Sequence, residues 1–380
     1  MRQNDGVVEL DIDTPEDVYT MRAQYVVASD GARSELRRLM NLKLNGESHE
    51  GRYLIADIRM ASTYPTERRA WFDPASNPGK SVLVHKMARD IWRVDYALDP
   101  DEDEEAEMQE ARVKERIGRH LEYIGETTPW TLDWVRLYKA HCLCLDDYRQ
   151  GNVFFIGDAA HLVPIFGVRG MNSSMADANN LGWKLAAVLQ GNAPDALLDS
   201  YSPERRAATF DVFANAAKST RFMTPPTRGY TLLRNAALQL AVKHEFARQW
   251  VNPRQSAPYD YVASTLTTPD TDPSFAGPRP GAPLASVRLD DGSFLTDLVG
   301  PQFALLVFGS HQLDAAALAA LTPAVRLHMV TDARATEAYD AINGSAYLVR
   351  PDGHVCARWK SVSLDKLRSA LARATARSTT

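Results

Sequence analysis

Residues 151–191 read GNVFFIGDAAHLVPIFGVRGMNSSMADANNLGWKLAAVLQG, and this stretch decides the fold. Four apolar residues, Val153 to Ile156, run directly into Gly157-Asp158. That is the pattern of a buried parallel strand ending in a carboxylate at its C-terminal edge, where open α/β sheets bind ligands. Glycine lets a ligand approach the backbone, and aspartate accepts hydrogen bonds from sugar hydroxyls. Beyond Pro164 the loop uses Gly167 and Gly170, and Asn172, Ser173 and Ser174 then offer caps for a helix. Its apolar positions Met175, Ala178, Leu181, Leu185 and Leu189 recur at helical spacing, and Gly191 supplies the C-terminal break. A glycine-bearing loop at a helix N-terminus exposes backbone N–H groups and the positive end of the dipole. Such a site suits a phosphate, or a ring that becomes anionic.

Working outward, VVELDID (7–13) alternates apolar and acidic residues and predicts a strand, followed by a Thr14-Pro15 turn and a second strand in AQYVVASD (23–30). The pair reads as a hairpin from the inside of a fold. YLIADIRM, SVLVHKM and IWRVDYAL, between residues 51 and 98, predict a mostly antiparallel sheet. The acidic run Asp101 to Glu105 opens a helical segment ending near Gly125. Helical patterns follow 191, and a Pro/Thr/Ser-rich stretch over 252–283 reads as a linker. The last hundred residues then run strand, helix, strand, two strands around Pro351-Asp352-Gly353, and a helix. This order resembles a thioredoxin-like domain. Gly309-Ser310-His311-Gln312 stands where C-x-x-C would be, so a structural or dimerising role is expected there, with a homodimer as one outcome.

Composition excludes other classes. The chain has 380 residues, 45% hydrophobic and 24% charged, the balance of a soluble globular protein of two to three domains. A formal net charge of −5 leaves no basic field for nucleic acid or an anionic membrane. Three cysteines, no signal-peptide pattern and no membrane-length apolar run suit a reducing, cytoplasmic setting. His141-Cys142-x-Cys144 with Asp146 and Asp147 fits no common zinc spacing, so no metal is expected. No two glycines stand two apart, so the dinucleotide fingerprint G-x-G-x-x-G is absent, and Gly79-Lys80-Ser81 lacks the glycine a phosphate loop needs at Pro74.

G-D-A-A-H (157–161), followed by P-x-x-G-x-x-G-M-N (164–172) and D-A-x-N-L-x-W-K-L (177–185), resembles the second FAD-binding motif of the single-component flavoprotein aromatic hydroxylases. That group includes para-hydroxybenzoate hydroxylase and phenol hydroxylase. Upstream, Tyr25-Val26-Val27-Ala28-Ser29-Asp30-Gly31-Ala32-Arg33-Ser34-x-Leu36-Arg37 resembles the family's DG motif, which lies near FAD and the pyridine nucleotide. The thioredoxin-like tail narrows the resemblance to phenol, 3-(3-hydroxyphenyl)propionate and polyketide hydroxylases. Val168 and Ser174 depart from the family, which commonly has glycine at both places.

The resemblance implies a fold of mixed α/β and α+β class: a partial FAD/NAD(P)-binding fold, an inserted mostly antiparallel substrate-domain sheet, and a thioredoxin-like domain lacking C-x-x-C. The divisions expected are a DG remnant of the FAD-binding domain at 1–45, the substrate sheet at 46–140, and the GD part of the FAD-binding domain with following helices at 141–251. The linker at 252–283 and the thioredoxin-like domain at 284–380 complete the chain. By the same resemblance Asp158 binds FAD ribose or ribitol hydroxyls. Pro164, Gly167, Arg169, Gly170, Met171 and Asn172 line the isoalloxazine, with the amides of the last three near N1 and C2=O. Asp30, Gly31, Arg33 and Ser34 serve the DG role, and His161 is expected to be a satisfied structural histidine. Trp71, Phe72, His85, Trp92, Arg93 and Tyr96 lie on the sheet that covers the family's substrate pocket. The implied activity is monooxygenation. FAD is reduced by NADH or NADPH, forms a C4a-hydroperoxide with O2, and hydroxylates a small phenolic substrate. Only 29 residues precede Asp30 where the family has well over a hundred, so the chain reads as N-terminally truncated and is expected to bind FAD weakly or not at all alone. The alternative is an inactive remnant or interaction protein, while a flavin-dependent halogenase or epoxidase fits the tail less well.

Overall fold

The computed structural model describes residues 1–4, 6–99, 101–164, 169–251, 257–272 and 274–378. Its first unit is a three-stranded antiparallel sheet of Arg2–Asn4, Val7–Asp13 and Val18–Ala23. The hairpin is present, but its second strand is Val18–Ala23 and not the AQYVVASD stretch. A bond from Thr14 N to Asp17 O, 3.0 Å, closes so tight a turn that the return strand is used up before residue 25. The Asn152 amide then donates to Gly6 O and Gln24 O, 2.7 and 2.8 Å, and pins the chain where it leaves the hairpin.

Val26–Ala28 instead lies parallel to Val153–Phe155, in the register Val26 to Val153 and Ala28 to Phe155. The latter strand is buried along its length, as its continuous apolar run predicts. Leu181, Leu198 and Tyr201 pack over it.

The inserted sheet has six strands, all antiparallel, with Asn45–Met60 paired between Ile91–Ala97 and Trp130–Cys144. Leu54, Ala56, Trp92 and Val94 on one face meet Val113, Ile117 and Leu121 of the helix Glu110–Tyr123. Alternation therefore turns Tyr53, Ile55, Asp57, Arg93 and Asp95 to the other face. The sheet does not stop before the GD motif, because His161–Leu162 adds to it beside Leu143 and Cys144.

At the C-terminal end, Phe303–Phe308 pairs parallel with Val325–Val330 and antiparallel with Ala346–Val349, which pairs with Val355–Trp359. This is the thioredoxin-like order. It shares a core with the rest: Trp183 and Leu197 pack with Phe303, Leu305 and Leu371. The proline-rich stretch between the two also contributes, burying Tyr261, Leu266 and Phe275.

Candidate functional site

The parallel strand pair sets the site. Ile156 N donates to Ala28 O, 3.0 Å, so Asp30-Gly31 and Gly157-Asp158 emerge side by side at one C-terminal sheet edge. Each turn has glycine in the left-handed region, Gly31 at φ +80° and Gly157 at φ +59°. A Cβ on Gly157 would lie 2.9 Å from Ser174 Oγ, so the close neighbour of this glycine is the facing helix, where the sequence pattern was read as room for a ligand.

The two carboxylates differ. Asp158 is exposed in the short turn Gly157–Ala159 and has no hydrogen-bond partner among the described residues. Asp30 accepts from Leu36 N, 3.1 Å, at the start of the helix Glu35–Leu39, which Ser34 caps through Arg37 N. Burial pushes the Asp30 carboxyl up, and hydrogen bonds from Ser34 and Leu36 more than offset it, holding the acid below its ordinary range. Arg33 is exposed. Arg37 bridges the turns by donating to Ala159 O, 3.0 Å, and to Ala32 O.

Facing this edge is the helix Gly170–Leu189. It begins earlier than the sequence predicts, so Asn172, Ser173 and Ser174 sit in its first turn and none caps it. Ser174 Oγ instead bonds back to Gly170 O, 3.0 Å. The N-terminus therefore keeps first-turn amides and the positive dipole end with no side-chain cap. Met171 and Met175 are 71% and 66% exposed, an apolar surface at the mouth of the site rather than the core face the spacing suggested for Met175. Pro164 and Arg169 are buried, Arg169 Nη1 donating to Val212 O at 3.3 Å. Gly167 and Val168 lie outside the described residues. Tyr138 of the inserted sheet donates to Val163 O, 2.6 Å, and ties that sheet to the loop.

The helix buries a polar stripe that apolar periodicity missed. Asp177 accepts from Gly157 N at 2.9 Å, from Arg205 Nε at 2.6 Å, and contacts His161 Nε2 at 2.7 Å. One side chain thus positions the GD turn and partners Nε2 of the buried histidine; Nδ1 has no hydrogen bond among the described residues, so the ring expected to be fully satisfied is satisfied at one nitrogen. Two turns further on, Lys184 pairs with Glu204 at 2.8 Å, and Asn180 between them donates to the same carboxylate. Arg350 of the tail reaches Glu204 at 2.7 and 3.0 Å, while Asp352 accepts from Trp183 Nε1 at 3.2 Å. The Pro351-Asp352-Gly353 turn, read as a plain hairpin turn, is the plug that docks the tail. The signal available was D-A-x-N-L-x-W-K-L itself, whose polar residues Asp177, Asn180 and Lys184 share one helical face.

Two acidic turns at one parallel edge, an uncapped long helix opposite and a broad antiparallel sheet tied to the intervening loop define the FAD-binding class of hydroxylase fold. Comparison with known proteins agrees. A family model described as FAD binding domain matches residues 3–216, and one described as aromatic-ring hydroxylase, C-terminal, matches 277–378. The chain belongs to this FAD-binding family. Relatives named 3-(3-hydroxy-phenyl)propionate/3-hydroxycinnamic acid hydroxylase include one from Mycolicibacterium smegmatis, 31% identical over 81% of this chain and 54% of its own length. Another, from Escherichia coli, is 28% identical over 82% of this chain and 55% of its own. The chain thus spans about half the length of the curated relatives it matches. Among solved structures, the flavin-dependent monooxygenase PieE in complex with FAD and substrate superposes with a TM-score of 0.80. The identity there is 24%, covering 99% of this chain and 75% of that one. Aklavinone-11 hydroxylase with FAD and aklavinone gives 0.78 at 25% identity, covering 99% and 73%.

Proposed function

We propose that this chain carries the flavin-ring and substrate-binding parts of an FAD-dependent aromatic-ring monooxygenase that uses NADH or NADPH and O2 on a small phenolic substrate. The observation that carries the reading is the convergence of Asp30-Gly31 and Gly157-Asp158 at one edge before the uncapped helix at Gly170. The residues fit the ring and ribityl half of FAD. Asp158 is an exposed, uncommitted acceptor for hydroxyls, and the amides of Gly170, Met171 and Asn172 offer donors and a positive dipole end to N1 and C2=O. Pro164, Gly167 and Arg169 belong to the loop under the ring, and Asp30, Gly31 and Arg33 to its second rim. When bound, FAD would supply the redox and oxygen chemistry, leaving the protein to orient the ring, exclude water and tune charge. Tyr138 and Asp177 hold the loop and the GD turn in place for that task.

A second reading is a chain that folds without flavin and pairs through its tail. Quenching of FAD fluorescence on titration with the chain, followed by NADH or NADPH oxidation with 3-(3-hydroxyphenyl)propionate present and absent, separates the two. The flavin reading predicts measurable quenching that Asp158→Ala weakens several-fold. Unchanged FAD fluorescence at high protein concentration, or identical affinity in Asp158→Ala, refutes it.

A further inference from the structure

The helix Arg228–Lys243 lies inside out on the fold. Its protein side carries Ala237 and Arg234, the latter 3% exposed with its guanidinium 5.4 Å from the centre of the Phe72 ring. Leu232, Leu233, Ala236 and Leu240, whose spacing puts them together on a different face, are all exposed. Leu232 and Leu233 are 62% and 65% accessible. The helix Glu245–Val251 continues this surface with Phe246 and Trp250, one turn apart, both exposed and in edge-on contact at 5.4 Å. Exposed cations border the patch, Arg228 at one end of the longer helix, Lys243 at the other, and Arg248 between the two rings in sequence.

Charge is distributed unevenly around this patch. From Val212 to Tyr259 the sequence holds seven Lys and Arg residues and one acid, Glu245, within a chain whose formal net charge is −5. Five of those cations, Lys218, Arg221, Arg228, Lys243 and Arg248, are exposed. The whole-chain figure therefore conceals a positive segment, and that segment carries the apolar stripe. A second copy of the chain is a poor occupant, because a two-fold contact would set this positive surface against itself. An aliphatic stripe edged by cations, with Trp and Phe at one end, is instead the layout of helices that lie in a membrane interface. The apolar side chains enter the acyl boundary while the Lys and Arg heads stay at the phosphates. We propose that the helices Arg228–Lys243 and Glu245–Val251 form a docking surface for an anionic phospholipid bilayer. The contact is peripheral, since no helix among the described residues is long and apolar enough to cross a membrane. The proposal is independent of the flavin reading above.

The test sediments the full chain with vesicles of phosphatidylcholine alone and of phosphatidylcholine and phosphatidylglycerol in equal parts, at low and at high salt. The native chain is expected to bind the anionic vesicles about tenfold or more tightly than the neutral ones at low salt, with the advantage shrinking as salt rises. Lys243→Gln with Arg248→Gln lowers affinity for anionic vesicles by about 25-fold, at about fivefold per cation. Leu232→Gln with Leu233→Gln, which leaves the charge unchanged, lowers it by about tenfold or more through loss of the apolar anchor. Val18→Gln, at an equally exposed apolar position on the N-terminal hairpin, leaves binding unchanged. No sedimentation with anionic vesicles at low salt, equal affinity for both compositions, undiminished binding in either double variant, or an equal loss in Val18→Gln overturns the proposal. Sedimentation velocity without lipid tests the other occupant. Self-association that Leu232→Gln with Leu233→Gln abolishes assigns the face to a second copy and overturns the lipid surface.

Discussion

Replacing Asp95 by Asn should make the protein more stable at neutral and alkaline pH. Burial lifts the Asp95 carboxyl from its ordinary 3.8 to about 6, with Arg93 and Arg68 opposing the rise. A displacement of that size corresponds to about 3 kcal/mol, and at 3% exposure little of it is screened by water. Between about pH 4 and 6 the native state keeps a proton that the unfolded chain has released, so stability falls as pH rises through this window. Above about pH 7 the whole penalty is present. Asp95→Asn cannot ionise and escapes it. His85 and His120 are each pushed down to about 4 by burial and give the opposite slope, stability rising with pH between about 4 and 6.5. Both proteins share those histidines, so the difference between their curves isolates Asp95. Urea unfolding from pH 4 to 8 should show near-equal stability at pH 4 and a gain for Asp95→Asn of up to about 3 kcal/mol at pH 8. A flat difference, or a variant less stable at pH 8, would refute the reasoning.

Three further outcomes follow from the geometry. Gly157→Ala places a Cβ 2.9 Å from Ser174 Oγ at φ +59° and should cost about 1–3 kcal/mol in urea unfolding, part of it recovered by adding Ser174→Gly; a neutral effect counts against the close approach. Arg350→Met leaves Glu204 and Asp352 buried without their guanidinium and should cost about 3–5 kcal/mol, read by the emission of Trp183 as the tail undocks; a loss below about 1 kcal/mol contradicts the plug. Burial pushes Glu204 and Asp177 up, but Arg350 and Lys184 for the first, and Arg205 and His161 for the second, hold both below the ordinary carboxylate range. Their stabilisation is complete above about pH 4.5 and is lost as pH falls through the depressed native values, so Asp177→Asn should flatten the acid limb of the stability curve.

Local pattern carried much of this molecule. A continuous apolar run into Gly157-Asp158 and a strand into Asp30-Gly31 are short-range signals, and each produced the element expected. The tail's strand and helix order was legible for the same reason. Pairing over distance was not. Nothing within AQYVVASD says that Val26–Ala28 joins a strand more than a hundred residues later while Val18–Ala23 closes the hairpin. Apolar spacing put Met175 and Leu189 on the core side of their helix, yet both are exposed, and Asp177, Asn180 and Lys184 are buried. Hydrophobicity fails there because burying a charge is favourable only when its partner arrives, and the partners, Arg205, Glu204 and Arg350, come from other elements. Asp95 is the sharpest case: in sequence it is one acid in an alternating strand, and only sheet register and packing strip it of water and leave its Oδ1 without a hydrogen bond among the described residues.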